Sequence, residues 1–377
     1  MTPTPSPVVG HLVIARKQDP KLSALGTKTL FVPGTVLPGP SDERIRIVGI
    51  PPVEPDDKGD YLPDPCAQPK AFDAVHTFAV VWRVSDMLRR ACAAVNGLSP
   101  FIWQWGDDPI DVHPHFARRC GAWYRRTSKR LEFNYFVAGN ETVYTCRSFD
   151  MVAHETAHAI LDAVKPRWFP GESSLKETGA IHEAFADIVS VFALLDQPDV
   201  CADVILACRG DLHTRSFLSH FAEQYGTARR PLVGYLRNAD NDLSYDEVDR
   251  TSRYELSKVL TGALYDIMAD DFDRQVRIPH ANRVATLNRV AESVLFRLIR
   301  AIYLAPETNA RFSDLAEAMI DGEEDAEFKE IVIRQFDRRA IRVRSLPDPN
   351  LADLTVAEAT CGEFCDTGAL AEFDVSG

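Results

Sequence analysis

The stretch Ser148-Phe149-Asp150-Met151-Val152-Ala153-His154-Glu155-Thr156-Ala157-His158 reads as the opening of a helix that carries two histidines four residues apart. On a helix that spacing puts both imidazoles on one face, one turn apart, where they can share a single tetrahedral metal ion. Glu155 follows the first histidine and points toward the same open side, where it can polarise metal-held water rather than bind the metal. Ser148 or Asp150 is a suitable N-cap. Taken alone, this is also the pattern of a helix with two surface or core histidines.

A second segment weighs against that plainer reading. Residues 177–188 run Glu-Thr-Gly-Ala-Ile-His-Glu-Ala-Phe-Ala-Asp-Ile. Glu183 and Asp187 are four apart and share a helical face. Glu183 can complete a His2Glu zinc site, leaving the fourth position for water. Asp187, one turn on, can accept the free ring N–H of a ligand histidine and so fix its tautomer. The neighbours Ala180, Ile181, Ala184, Phe185, Ala186, Ile188 and Val189 suit a buried helix, and acids in a buried helix need a reason.

Outward from this centre, the chain divides into four parts. Residues 1–70 are rich in Pro, Gly and Asp, with strand-like stretches at His11–Ala15 and Arg44–Ile50, and read as an extended arm. Residues 71–165 form a β-containing lobe. It opens with a helix over Ala71–Asn96, continues through a strand-like region at 100–147, and ends in the His-Glu-x-x-His helix. Within it Arg130–Val137 alternates, with Leu131, Phe133, Tyr135 and Val137 on one face, and reads as an edge strand able to pair with an extended peptide. Residues 166–345 read as an all-helical lobe, with helices at Glu177–Leu195, Thr214–Tyr225, Tyr254–Asp270, Ala281–Tyr303, Arg311–Asp321 and Ala326–Ala340. Residues 346–377 form an acidic tail. The fold class is α+β, with the chemistry where the two lobes meet.

The bulk properties exclude several roles. Of 377 residues, 45% are hydrophobic and 26% charged, ordinary for a globular protein. A formal net charge of −13 argues against nucleic acid or an anionic membrane as a partner. No apolar run reads as a membrane span, and the Pro-rich start shows no secretory signal, so the expected location is the cytoplasm. The 8 cysteines are scattered, with only Cys361 and Cys365 close together, and reduced thiols are expected. His113, His115, Trp103 and Trp105 read as packing and loop residues. The arginine pairs at 118–119 and 125–126 read as a solvated face.

The residues around the expected metal resemble those of the thermolysin-like gluzincin metallopeptidases. That family joins His-Glu-x-x-His to a later Glu-x-x-x-Asp inside a Gly-Ala-Ile-Asn-Glu-Ala type of helix. Here Gly179-Ala180-Ile181-His182-Glu183-Ala184 matches, with His182 in place of Asn. Gly121-Ala122-Trp123-Tyr124 is similar to the family's cleft-edge strand, and 257–265 to its later active-site helix, so the resemblance spans roughly residues 70–345. It implies a thermolysin-like zincin fold with one zinc per chain on His154, His158 and Glu183. Glu155 would be the general base, Asp187 would support a ligand, and the substrate would be a peptide or protein cut beside hydrophobic residues.

The chain departs from the family at several points. The family's Asp and, five residues later, oxyanion-binding His fall on Asp249 and Tyr254; a phenol can donate the same bond, which makes Tyr254 the candidate. The cleft-edge Asn falls on Gly121, and a second oxyanion-side Tyr near Ser174. The family's calcium cluster is not recognisable, with Asp150 at one position and Leu194 where an acid belongs, so calcium is not expected. The leading expectation is a zinc metallopeptidase. A catalytically silent zinc protein of the same fold and a zinc hydrolase of a non-peptide amide stand as alternatives.

Overall fold

The computed structural model describes residues 9–96 and 101–343; the acidic tail with Cys361 and Cys365 lies outside them. The chain opens with an antiparallel pair, β1 (Gly10–Arg16) and β2 (Thr27–Pro33), in the register Gly10↔Pro33 to Arg16↔Thr27. Alternation explains it: Val13, Ala15, Leu30 and Val32 turn inward, while Leu12 and Phe31 face solvent. β3 (Ile45–Ile47) joins β4 (Ile110–His113), β5 (Ala122–Arg125) and β6 (Arg130–Phe133) in a sheet of order β3-β4-β6-β5. Only the β5–β6 pairing is antiparallel in this sheet. β7 (Tyr135–Ala138) and β8 (Glu141–Tyr144) make a separate hairpin. α1 (Pro69–Asn96) runs unbroken, burying Phe72, Val75, Phe78, Val81, Val84 and Leu88.

The remaining helices are α2 (Phe149–Val164), α3 (Lys176–Leu195), α4 (Pro198–Ala207), α5 (Glu223–Arg229), α6 (Arg253–Val276), α7 (Arg283–Leu304), α8 (Phe312–Ile320) and α9 (Ala326–Arg338). Several start where a side chain satisfies an end N–H: Ser252 Oγ accepts from Glu255 N, Asn282 Oδ1 from Ala285 N, and Asp325 Oδ1 from Phe328 N. α3 packs between α2 and α6. It is the one described helix long and apolar enough to cross a bilayer, which the sequence reading passed over, yet it lies wholly inside the protein core. One continuous apolar core runs from Val13 to Ile341. The architecture is thus α+β, with several small sheets.

Three local expectations need correction. The expected helix over Thr214–Tyr225 is instead a loop, a short strand β9 (His220–Phe221) and the start of α5. β9 pairs with β10 (Arg237–Asn238), and Ala222 sits at φ 50°, its N–H held by Asp150 Oδ2 at 3.1 Å. These tertiary bonds override a helical periodicity, and they put strands in the half of the chain expected to be all-helical. Arg130–Val137 is two strands, not one edge strand. Asn134 breaks it, donating from Nδ2 to Gly121 O (2.9 Å) while its carbonyl accepts from Thr145 N and Oγ1. β6 pairs on both sides, so no peptide can add to it; β5 is the sheet's edge. Finally, Ser148 occupies the N-cap position of α2 without a side-chain capping bond, and Asp150 lies in the first turn, accepting from Gln18 Nε2 and Ala222 N.

The closing helix is anchored by charge. Arg339, 1% exposed, donates to Asp266 Oδ2 on α6 (2.6 Å), to Leu243 O (2.9 Å) and to Asn241 O. Gly262 makes the room, since a Cβ there would lie 2.7 Å from Arg339 Nη1. Arg339→Met should lower stability by about 3–5 kcal/mol in urea unfolding, because it strands a buried carboxylate and two carbonyls. A loss under ~1 kcal/mol would mean that water replaces the guanidinium.

Candidate metal centre

α2 and α3 lie side by side, and their facing sides carry the polar groups. His154 Nε2 and His158 Nε2 each stand 3.6 Å from Glu183 Oε2. A ligand atom from each of the three lies within 4.8 Å of the others, and none of the residues is more than 1% exposed. Both histidines are oriented from behind. His154 Nδ1 lies 2.9 Å from Asp187 Oδ1, and Asp187 Oδ2 accepts from Arg237 Nη1 at 3.0 Å. His158 Nδ1 meets His182 Nδ1 at 2.7 Å, with the rings stacked 4.8 Å apart. These contacts leave each Nε2 lone pair for the shared point.

Glu155, fully buried, accepts from Tyr124 N at 2.6 Å through Oε2, while Oε1 has no partner. Tyr124 belongs to β5, so the sheet's edge strand fixes the carboxylate. The Tyr124 hydroxyl donates to Asp162 Oδ2 (2.7 Å), which Arg126 also grips. On the far side Arg253 Nε lies 3.4 Å from Glu183 Oε1, and Arg253 Nη2 donates to Tyr254 Oη at 2.6 Å.

The charges respond to this enclosure. Burial pushes the Glu155 carboxyl up to about 8, partly offset by His154. Burial opposes a charged His154, but Asp187 and Glu183 outweigh it and raise the imidazole to about 9. Burial, then the charge of His154, lowers His158 to about 4. Burial also works against an ionised Glu183, yet the two histidines hold it well below the usual carboxylate range. A divalent cation among these atoms acts in one direction, toward neutral imidazoles and ionised carboxylates.

The donor set fits a metal. His158 Nε2 and Glu183 Oε2 are buried without a hydrogen-bond partner, a costly state that a cation relieves. Two imidazoles and a carboxylate make a set suited to zinc with one open position.

No protein-family model and no curated protein matches this chain. The functional reading therefore rests on these side chains.

Of the expected residues, the fold brings together His154, His158, Glu183, Glu155 and Asp187, with Tyr254 joined through Arg253. Asp249 stays apart: it is exposed and accepts from Thr251 N and Oγ1 in its own turn. Ser174 likewise bonds Asn309, not the cluster. Sequence reasoning missed Arg237 and Arg253, which belong to no motif, and the main-chain N–H of Tyr124, although Tyr124 lies in the stretch likened to a cleft-edge strand; it gave His182 no role despite its place beside Glu183. It also missed the acid that accompanies His115. Asp73, from α1, lies 2.9 Å from His115 Nε2, with Cys146 nearby. Arg147 already donates from Nε and Nη2 to both oxygens of Asp73, so that group carries its own cation. A cavity of about 520 Å³ lined by Met87, Arg90, Phe192 and Phe296 shares no residue with the centre.

His182→Leu removes the acceptor behind His158 and should weaken zinc binding roughly 10–100-fold, while His182→Asn, which can still accept, should weaken it less. Competition with a chromogenic chelator reads both values. Equal affinity in all three proteins would show that His182 only fills space.

Proposed function

We propose that the chain is a zinc-dependent hydrolase acting on peptide bonds. The observation that carries this reading is the placement of Glu155. A carboxylate with one oxygen fixed by Tyr124 N and the other without a partner stands beside three converging ligand atoms. A purely structural metal site has no use for such a group.

His154, His158 and Glu183 would hold the zinc, which when bound supplies Lewis acidity for the attacking water and the carbonyl oxygen. Glu155 takes the water's proton through Oε1 and passes it to the leaving amine. Asp187 and His182 hold the ligand imidazoles in their tautomers. Arg253 donates to the Tyr254 oxygen, which ties the phenol to the Glu183 side of the centre as the candidate donor to a developing oxyanion. Main-chain groups of β5, the edge strand nearest Glu155, are suited to lie along an extended substrate.

One observation favours a second reading, a zinc-holding protein without turnover: the three ligands and Glu155 are each at most 1% exposed, so a substrate must displace side chains to reach them. Incubating the zinc-loaded chain with a pool of unstructured peptides separates the two. Recurrent cut sites support the hydrolase. An uncut pool with about one zinc per chain supports the second reading.

A further inference from the structure

A separate group of donors stands where three segments meet at the middle of α6. The loop 208–214 brings His213, whose own N–H bonds Asp211 Oδ1 (2.9 Å) and whose neighbour Leu212 accepts from Tyr265 Oη (2.7 Å). The turn after β10 brings Asp240, with its backbone N–H held by Asn238 Oδ1 at 3.2 Å. α6 brings Asp266. His213 Nδ1 lies 2.9 Å from Asp240 Oδ1 and 3.9 Å from Asp266 Oδ1. One ligand atom from each of the three residues lies within 4.8 Å of the others.

Asp266 shows why this is more than a surface ion pair. Its side chain is 2% exposed. Oδ2 takes Arg339, whereas Oδ1 accepts no hydrogen bond among the described residues and faces His213. Oδ1 thus meets no protein donor, which leaves it for a cation or ordered water on the side of His213. The opposite side is open, because the His213 side chain is 41% exposed. Each donor is fixed by bonds of its own segment, so the set is organised before anything binds.

We propose that His213 Nδ1, Asp240 Oδ1 and Asp266 Oδ1 form a second metal site, distinct from the centre on α2 and α3, for a divalent first-row transition ion. The donor chemistry sets the class. One imidazole with two carboxylates suits manganese, iron, cobalt or zinc above magnesium or calcium, which favour oxygen alone. His213 Nδ1 and Asp240 Oδ1, 2.9 Å apart, subtend close to a right angle at an ion about 2.1 Å from each, and Asp266 Oδ1, 3.9 Å from the imidazole, subtends a wider one, with water completing the shell. Bound there, the ion clasps the loop 208–214 and the turn after β10 to α6, the helix whose first turn holds Arg253 and Tyr254.

Manganese is the probe. The full chain, first loaded with one equivalent of zinc, is titrated with Mn2+ while the electron paramagnetic resonance signal of free Mn2+ is followed. One Mn2+ per chain is expected to leave the free pool. His213→Asn and Asp240→Asn, both at solvent-reached positions, should each abolish that uptake with unchanged circular dichroism. Glu183→Gln, which disables the other centre and is titrated without added zinc, should keep it. No uptake by the wild type overturns the site, as does uptake that survives both substitutions. Uptake lost in Glu183→Gln but kept in His213→Asn places the ion at the α2–α3 centre and overturns it too.

Discussion

Glu155→Gln is expected to cut kcat/KM for peptide cleavage by roughly 10²–10⁴-fold, the range typical of losing a positioned general base. Zinc content should stay at the wild-type level. The amide is nearly isosteric, and its Oε1 can still accept from Tyr124 N, so the side chain keeps its place. What disappears is the basic oxygen that has no partner in the wild type. Two readouts are needed because a fall in activity alone also follows from a lost metal. Loss of activity with loss of zinc would mean that the substitution disturbed α2. Unchanged activity with zinc retained would remove Glu155 from the chemistry, and the proposed function would need another base.

The second large effect is on stability. A chelator should lower Tm, and restored zinc should raise it, because a ligand that binds only the folded state adds RT ln(1 + [L]/Kd). At free zinc a thousandfold above Kd this is about 4 kcal/mol. The structure gives the direction a local cause. Without a cation, His158 Nε2 and Glu183 Oε2 remain buried and unpartnered. His158→Gln should therefore lose most of this zinc-dependent rise in Tm, keeping only what the His213 site contributes. A wild-type Tm insensitive to chelation would mean that the α2–α3 contact holds without metal, and that these atoms find water instead.

The centre was legible where its residues share a helix. His154 and His158, or Glu183 and Asp187, are one turn apart whatever the rest of the chain does, so spacing alone sets each pair on a common face. That α2 and α3 face each other is a tertiary fact, and there the resemblance to a known family supplied what spacing could not. Arg237 and Arg253 were invisible because each reaches its carboxylate from a distant segment with no periodic signature. Asp249 fails for a related reason: an alignment can carry a residue's position but not the loop that holds it, and here the loop turns the carboxylate to Thr251. The expected edge strand failed at Asn134, whose β-like alternation hid a residue bonded across to Gly121. The helices α1 and α7 to α9 were readable to within two residues and α6 to within six; α4 and α5 were not, although α4 is one residue longer than α8.

The bond from Tyr124 N to Glu155 has a consequence for how this site can change over generations. Its donor is main chain, common to nineteen of the twenty amino acids, so a new side chain at position 124 would cost the buried hydroxyl's bond to Asp162 but would not itself delete the bond to the carboxylate. Only proline deletes it. Heritable variation along β5 thus acts on what the strand's side chains touch and not on the hydrogen bond that holds Glu155.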